Sequence, residues 1–246
     1  MMSIVVEDFH KSYGDFVAVA GVSFTVGPGT VLALVGPNGA GKTTTMRALS
    51  GVLEPTRGRL SIDGHDIVTD PVAAKSALAY IPDDPRLFDQ LTIWEHLRFI
   101  AAAYRLHDWE QKGEELLTQF ELTEKRDSPC GDLSRGMRQK VAICCGYLHD
   151  PAAIMLDEPL TGLDPYGIRT MKESIRRRAA GGAAVMISSH LLSLVEDLCT
   201  AVLILVRGRT VLHSTMEELR KQAADDGKHE SLEELFFRLT AEPARA

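Results

Sequence analysis

No stretch of the 246-residue sequence approaches the ~20 consecutive apolar residues that a membrane-spanning helix needs. The longest apolar candidate, Ala201–Val206, has only the length of a strand. Work at a membrane would therefore have to pass through a partner. The four cysteines, Cys130, Cys144, Cys145 and Cys199, form no C-x-x-C pair, which argues against a zinc site or a dithiol redox motif. Cys144 and Cys145 fall in an apolar helical stretch and read as reduced core residues, as in a reducing compartment. An excess of basic residues is also missing. Lys and Arg number 27 against 34 Asp and Glu, for a net charge of −7, so a nucleic-acid backbone is not an expected partner. A nucleotide, which needs only a few local donors, is not excluded. The opening residues, MMSIVVEDFHKSYG, lack the basic start and apolar core of a signal peptide. No internal repeat or low-complexity segment interrupts the chain.

What is present fits a folded α/β protein. Short β-rich runs open the chain at Ile4–Val6, Val17–Val26 and Val31–Val35. The last of these, Val-Leu-Ala-Leu-Val, is apolar throughout, as a parallel strand covered on both faces requires. Further strands are expected at Gly58–Ile62, Leu78–Ile81, Ile154–Leu156, Ala183–Ser188, Ala201–Val206 and Arg209–His213. Helical spacing fills Thr92–Leu148 and returns after Pro165 and Leu191. Strands alternating with helices imply a mostly parallel sheet with helices on both faces. The organisation read from this pattern is a core of residues 1–84 and 150–214, an inserted helical subdomain at 85–149 and a helical tail at 215–246. Leu232, Leu235, Phe236 and Leu239 share one face of that tail.

The sharpest motif is Gly36-Pro37-Asn38-Gly39-Ala40-Gly41-Lys42-Thr43, followed by Thr44. It satisfies G-x-x-x-x-G-K-[ST] between a buried strand and a helix. Glycines let the backbone curl until several N–H groups face one anion, and the helix N-terminus adds its partial positive charge. Lys42 is placed to reach the β- and γ-phosphates of a nucleoside triphosphate, and the Thr43 hydroxyl to ligate Mg²⁺. A second motif is an apolar strand, Ile154-Met155-Leu156, that ends in Asp157-Glu158. At the carboxyl end of a parallel strand such groups meet the ligand crevice. Asp157 suits a Mg²⁺ ligand and Glu158 a group that polarises attacking water, with Mg²⁺ and Lys42 keeping both ionised.

With these residues in place the chain resembles the ABC ATPases over nearly its whole length. Leu133-Ser134-Arg135-Gly136-Met137 stands where that family has its signature sequence, Leu163-Asp164 where it has the D-loop, and Ser188-Ser189-His190 where it has the switch histidine. Tyr13 sits like the aromatic that stacks on adenine, and Asp83, in Tyr80-Ile81-Pro82-Asp83, where the family usually has a Q-loop glutamine. The resemblance implies a P-loop NTPase fold: a RecA-like core with a mostly parallel sheet, an N-terminal antiparallel β subdomain and an inserted α-helical subdomain. It implies ATP and Mg²⁺ as ligands, with Lys42, Glu158 and His190 as the catalytic set and Thr43, Asp157 and Asp83 around the metal. Tyr13 and the loop from Gly36 to Thr44 would hold ATP in one copy, and Ser134, Gly136 and Asp164 would reach it from a second copy packed head to tail.

The sequence departs from the family pattern twice. Asp83 replaces glutamine and, with Asp84 beside it, brings negative charge toward the phosphates, so ATP binding is expected to depend steeply on Mg²⁺. Arg135 and Met137 replace the commoner glycine and glutamine of the signature, while Ser134 and Gly136 are kept. The resemblance further implies the motor subunit of a transporter of exporter type, on the cytoplasmic face of a membrane and driving a separate permease, with Arg86–Leu91 as the surface that receives it. Two rivals remain open at this point. One is a non-transport ABC ATPase acting on nucleic acid or ribosomes. The other is a small-molecule kinase, which accounts for the phosphate loop but not for the signature, Glu158 or His190.

Overall fold

A computed structural model describes residues 3–225 and 231–240, without the side chains of residues 223–225. The chain opens with β1 (Ile4–Tyr13), β2 (Phe16–Val26) and β3 (Val31–Val35), then α1 (Lys42–Leu49), β4 (Arg57–Ile62), β5 (His65–Asp66), α2 (Pro71–Ser76) and β6 (Leu78–Ile81). Three longer helices follow: α3 (Ile93–Ala103), α4 (Glu110–Gln119) and α5 (Arg135–Tyr147). The chain then alternates through β7 (Ala153–Asp157), α6 (Pro165–Ala180), β8 (Ala184–Ser188), α7 (Leu192–Leu198), β9 (Ala201–Val206) and β10 (Arg209–Thr215), before α8 (Met216–Asp225) and α9 (Leu232–Thr240).

Two sheets result. One is antiparallel, in the order β2-β1-β4-β5; the other has the order β10-β9-β3-β8-β7-β6 and is parallel except for β10. In the second sheet β3 lies between β8 and β9, so its carboxyl end opens where the chain order reverses. That is where open α/β sheets bind ligands. The apolar run of β3 divides with period 2. Val31, Ala33 and Val35 join Ile154, Leu156, Val185 and Ile187 in a core covered by α3–α7. Leu32 and Leu34 join Met155, Met186 and Leu203 in a second core, closed by α1 and by Ile4, Val6 and Phe24 of the antiparallel sheet. A sheet buried on both faces explains why its strands read as continuous apolar runs rather than alternating ones.

Between β6 and β7 the named elements are helices; side chains cap α3 and α5, and also α6 beyond β7, whereas none caps α4. Thr92 caps α3, accepting from the Glu95 amide at 3.1 Å while the Glu95 carboxylate accepts from the Thr92 amide at 2.9 Å; this reciprocal pair satisfies two donors the helix leaves open. Ser134 caps α5 through the Met137 amide at 3.3 Å, and Asp164 caps α6 through the Gly167 amide at 2.6 Å. The Arg126 guanidinium lies 3.8 Å over the Trp94 ring, tying α3 to the loop ahead of α5. Two features were not legible in the sequence pattern. β1 continues to Tyr13, paired with β2 across register shifts that break its alternation, and α2 is too short to show a period. The four cysteines are buried and free, as expected for core residues. Among the described residues, no helix is long and apolar enough to cross a membrane. In the tail, Leu232 is buried, and Leu235, Phe236 and Leu239 pack against the first core. Residues 226–230 and 241–246 of that segment lie outside the described residues.

Candidate active site

The site forms where the ends of β3, β7, β8 and β6 converge. The turn after β3 passes so close to β9 that a Cβ on Gly36 would sit 2.3 Å from the Leu205 carbonyl oxygen, so only glycine fits there. The turn between β9 and β10 braces the loop from below. The Gly208 amide donates to the Ala40 carbonyl at 3.1 Å, and the Ala20 amide donates to the Gly208 carbonyl at 2.8 Å. The phosphate loop is thereby tied to both sheets. No side chain caps α1, and no acidic residue stands in its first turn, so its N-terminal N–H groups and partial positive charge are left for an anion. Lys42 Nζ curls over the loop and donates to the Gly36 carbonyl at 2.6 Å and the Pro37 carbonyl at 3.1 Å. Burial pushes the Lys42 ammonium below its usual value, while Glu158 and Asp157 oppose that shift.

Asp157 ends β7 and is buried. Burial raises its pKa, the Ser188 hydroxyl counteracts by bonding to it, and the nearby charge of Asp83 raises it further. Asp157 is thus a sequestered carboxylate that feels the charge of Asp83, and carboxylate oxygens suit a hard divalent cation, although among the described residues no three acidic, histidine or cysteine side chains cluster as a metal site. Because the folded pKa lies above the unfolded one, the folded protein holds this proton more tightly. The stabilising contribution is complete below the unfolded pKa and is lost as pH rises through the folded value. Asp157→Asn removes that penalty at neutral pH and keeps an acceptor for Ser188. The nucleotide-free protein is expected to melt higher by about 2–4 °C for each kcal/mol relieved, with a gain that shrinks as pH is lowered. Calorimetry across pH checks this; an unchanged or lower melting temperature at neutral pH would contradict it.

Glu158 follows in the left-handed region, with φ at 47°, a conformation that costs a non-glycine residue free energy and marks functional turns. This turn sends the Glu158 carboxylate to His190, whose Nδ1 lies 2.9 Å from Oε2. His190 is presented by a turn in which the Leu191 amide donates to Ser189 Oγ at 3.1 Å. The backbones agree: the Glu158 amide donates to the Ser188 carbonyl at 2.9 Å. Lys42, Asp157, Glu158 and His190, spread over the chain, are thus brought to one crevice.

Tyr13 stands at the tip of the hairpin between β1 and β2, half exposed, with Lys11 Nζ 5.2 Å from its ring centroid. Sequence reasoning missed its cross-strand neighbour Phe16, which is more exposed still; two aromatics flanking Gly14-Asp15 were the available signal. The sequence assigns Ser188 no role of its own, whereas the structure sets it against Asp157. Ser134 and Asp164 cap their own helices, and Gly136 packs against the turn after Glu158, where a Cβ would meet the Gly162 carbonyl oxygen at 2.6 Å. Asp83 meets Arg135: Nη2 lies 2.9 Å from Oδ1.

The family model for ABC transporters matches residues 19–161, more than half of the chain and the stretch that carries the phosphate loop, the signature and the acidic strand end. The chain belongs to the ABC transporter family. It is 36% identical to the ABC-type transporter ATP-binding protein EcsA of Bacillus subtilis over 99% of both chains. It is 31% identical to the daunorubicin resistance ATP-binding protein DrrA3 of Streptomyces coeruleorubidus, over 91% of this chain and 72% of that one. Among solved structures, an ATP-binding subunit of an ABC transporter superposes with a TM-score of 0.91 at 36% identity, over 96% of this chain and 99% of the other. The mixed α/β P-loop fold expected from the sequence is the one found. This ABC transporter ATPase binds ATP and hydrolyses it.

Proposed function

We propose that this ATPase drives a separate membrane permease of exporter type, working as two copies packed head to tail around two ATP molecules. The observation that carries the reading is the convergence of Lys42, Asp157, Glu158 and the Glu158–His190 pair on one crevice. Adenine stacks on Tyr13, with Phe16 beside it. The triphosphate lies in the loop from Gly36 to Thr44, where backbone N–H groups and Lys42 take the charge. Thr43, Asp157 and Asp83 would hold Mg²⁺, which supplies positive charge to the phosphates when bound. His190 exchanges Glu158 for the γ-phosphate, which frees the Glu158 carboxylate to orient and polarise the attacking water. Ser134 and the Gly136 amide, at the start of α5, and Asp164 approach the same nucleotide from the second copy. Catalysis is then mostly positioning and electrostatics, and ATP favours the closed pair only by its differential affinity for it.

The permease surface is Arg86–Leu91. Phe88 is exposed there and packs edge-on against Phe99, with centroids 5.7 Å apart. His96 braces the segment by accepting from the Phe88 amide at 3.0 Å. Support for a permease partner comes from this apolar patch and from the transporter subunits that the chain resembles, among them one named for drug resistance. A location on the cytoplasmic face of the membrane follows from that partnership.

The test is affinity purification of the tagged protein from detergent-solubilised membranes of its own host, with co-purifying proteins identified by mass spectrometry. A multispanning protein at comparable abundance is the expected result. Recovery only from the soluble fraction, with ribosomes or nucleic acid, would move the ATPase to a non-transport role.

A further inference from the structure

The ion pair between Asp83 and Arg135 joins two segments that are 52 residues apart in sequence. Asp83 follows β6, whose strand lies beside β7, and its charge is felt by Asp157 at the end of that neighbour. Arg135 is the first residue of α5, next to Ser134 and Gly136. Its aliphatic stem rests on the turn after Glu158, where a Cβ on Gly162 would lie 3.4 Å from Arg135 Cδ. One side chain therefore touches the start of α5, the turn that follows the acidic strand end, and a carboxylate whose charge Asp157 feels. One helical turn later on the same face, Gln139 is buried and makes a long 3.5 Å contact to the Pro82 carbonyl, while its own Oε1 has no partner. Buried acceptors are rarely left unpaired, so this interface between α5 and the end of β6 is not fully satisfied as it stands.

We infer that Arg135 is a positioning residue that latches α5 to Asp83 and competes with Mg²⁺ for that carboxylate. With no nucleotide, the guanidinium neutralises Asp83 and holds the start of α5 against the end of β6. A divalent cation arriving with ATP would draw on the same carboxylate, because two cations beside Asp83 repel each other and share its single negative charge. The pair then weakens, and the start of α5, which carries Ser134 and Gly136, is released from β6. The latch makes the helix that meets a second copy sensitive to whether the nucleotide has brought its metal. It rests on the placement of Asp83 near the metal in the function proposed above.

The direction of the effect follows from charge. Without Arg135, Asp83 is unshielded: metal-free ATP is repelled more, and the metal–ATP complex is held better. The readout is the ratio of dissociation constants without and with Mg²⁺ for a non-hydrolysable fluorescent ATP analogue. Arg135→Gln is expected to raise that ratio roughly two- to fivefold, the scale of an exposed ion pair. Asp83→Asn is expected to lower it, and adding Arg135→Gln to Asp83→Asn should change nothing more. Both side chains are partly exposed, so the variants are expected to fold, and Arg135→Lys should restore part of the wild-type ratio. An unchanged ratio in Arg135→Gln, or an equal shift in the Asp83→Asn background, overturns the latch while leaving Asp83 near the metal. An unchanged ratio in Asp83→Asn removes Asp83 from the metal and the latch with it. Failure of the wild-type protein to bind the analogue at all would strike instead at the nucleotide site.

Discussion

Glu158→Gln is expected to bind ATP with near wild-type affinity and to hydrolyse it roughly 10²- to 10⁴-fold more slowly, the range that general-base assistance supplies. Glutamine keeps the shape of the side chain and an acceptor oxygen for His190 Nδ1, 2.9 Å away in the wild-type protein, so the turn at Glu158 is preserved. What it loses is the charge that polarises water. Binding and turnover therefore separate: equilibrium binding stays close to normal while phosphate release collapses. If ATP holds two copies together, the variant should also accumulate as an ATP-dependent dimer, which light scattering resolves from monomer. Turnover within a few-fold of wild type would take Glu158 out of the base role. The histidine offers a control, since His190→Ala leaves the carboxylate in place and is expected to cost less in turnover than the loss of that charge.

Lys42→Ala is expected to fail one step earlier. The ammonium sits over the phosphate loop and bonds to the Gly36 and Pro37 carbonyls, where it both braces the loop and supplies charge. Its removal leaves two carbonyls turned toward the crevice and the carboxylates of Asp157 and Glu158 without the cation that faces them. Hydrogen bonds to charged groups contribute about 1.5–3 kcal/mol each, so ATP affinity is expected to fall roughly 10- to 100-fold. The loss should be smaller for ADP and smaller again for AMP, because the proposed site sets the ammonium against the terminal phosphates. Titration calorimetry with the three nucleotides checks the gradient. An equal loss for all three would point to collapse of the loop instead of a missing phosphate contact.

The phosphate loop was legible because its chemistry is local. Gly36 to Thr44 is one turn and the start of one helix, so spacing along the chain is spacing in space. Ser134 and Asp164 were singled out for their place in the family pattern, and in the structure their side chains cap helices that begin one residue later. The acidic strand end was legible because Ala153–Asp157 is apolar until it stops, and parallel strands present their carboxyl ends to the ligand crevice. Tyr13 was singled out from the sequence and Phe16 was not, although both flank Gly14-Asp15, because only the hairpin register makes them cross-strand neighbours.

Sequence alone carried the phosphate loop and the absence of any apolar run long enough to span a membrane, and it set up the expectation that Asp157, Glu158 and His190 share one chemistry. Tertiary structure decided which side chains face one another. Glu158 and His190 meet because β7 and β8 are adjacent and parallel, in a register that sets Asp157 beside Ser188. Asp83 meets Arg135 because α5 returns its N-terminus to the end of β6. Neither pairing leaves a trace in residue spacing. A contact across tens of residues is fixed by strand order and helix return, and these are settled by burial of both faces of the sheet at once.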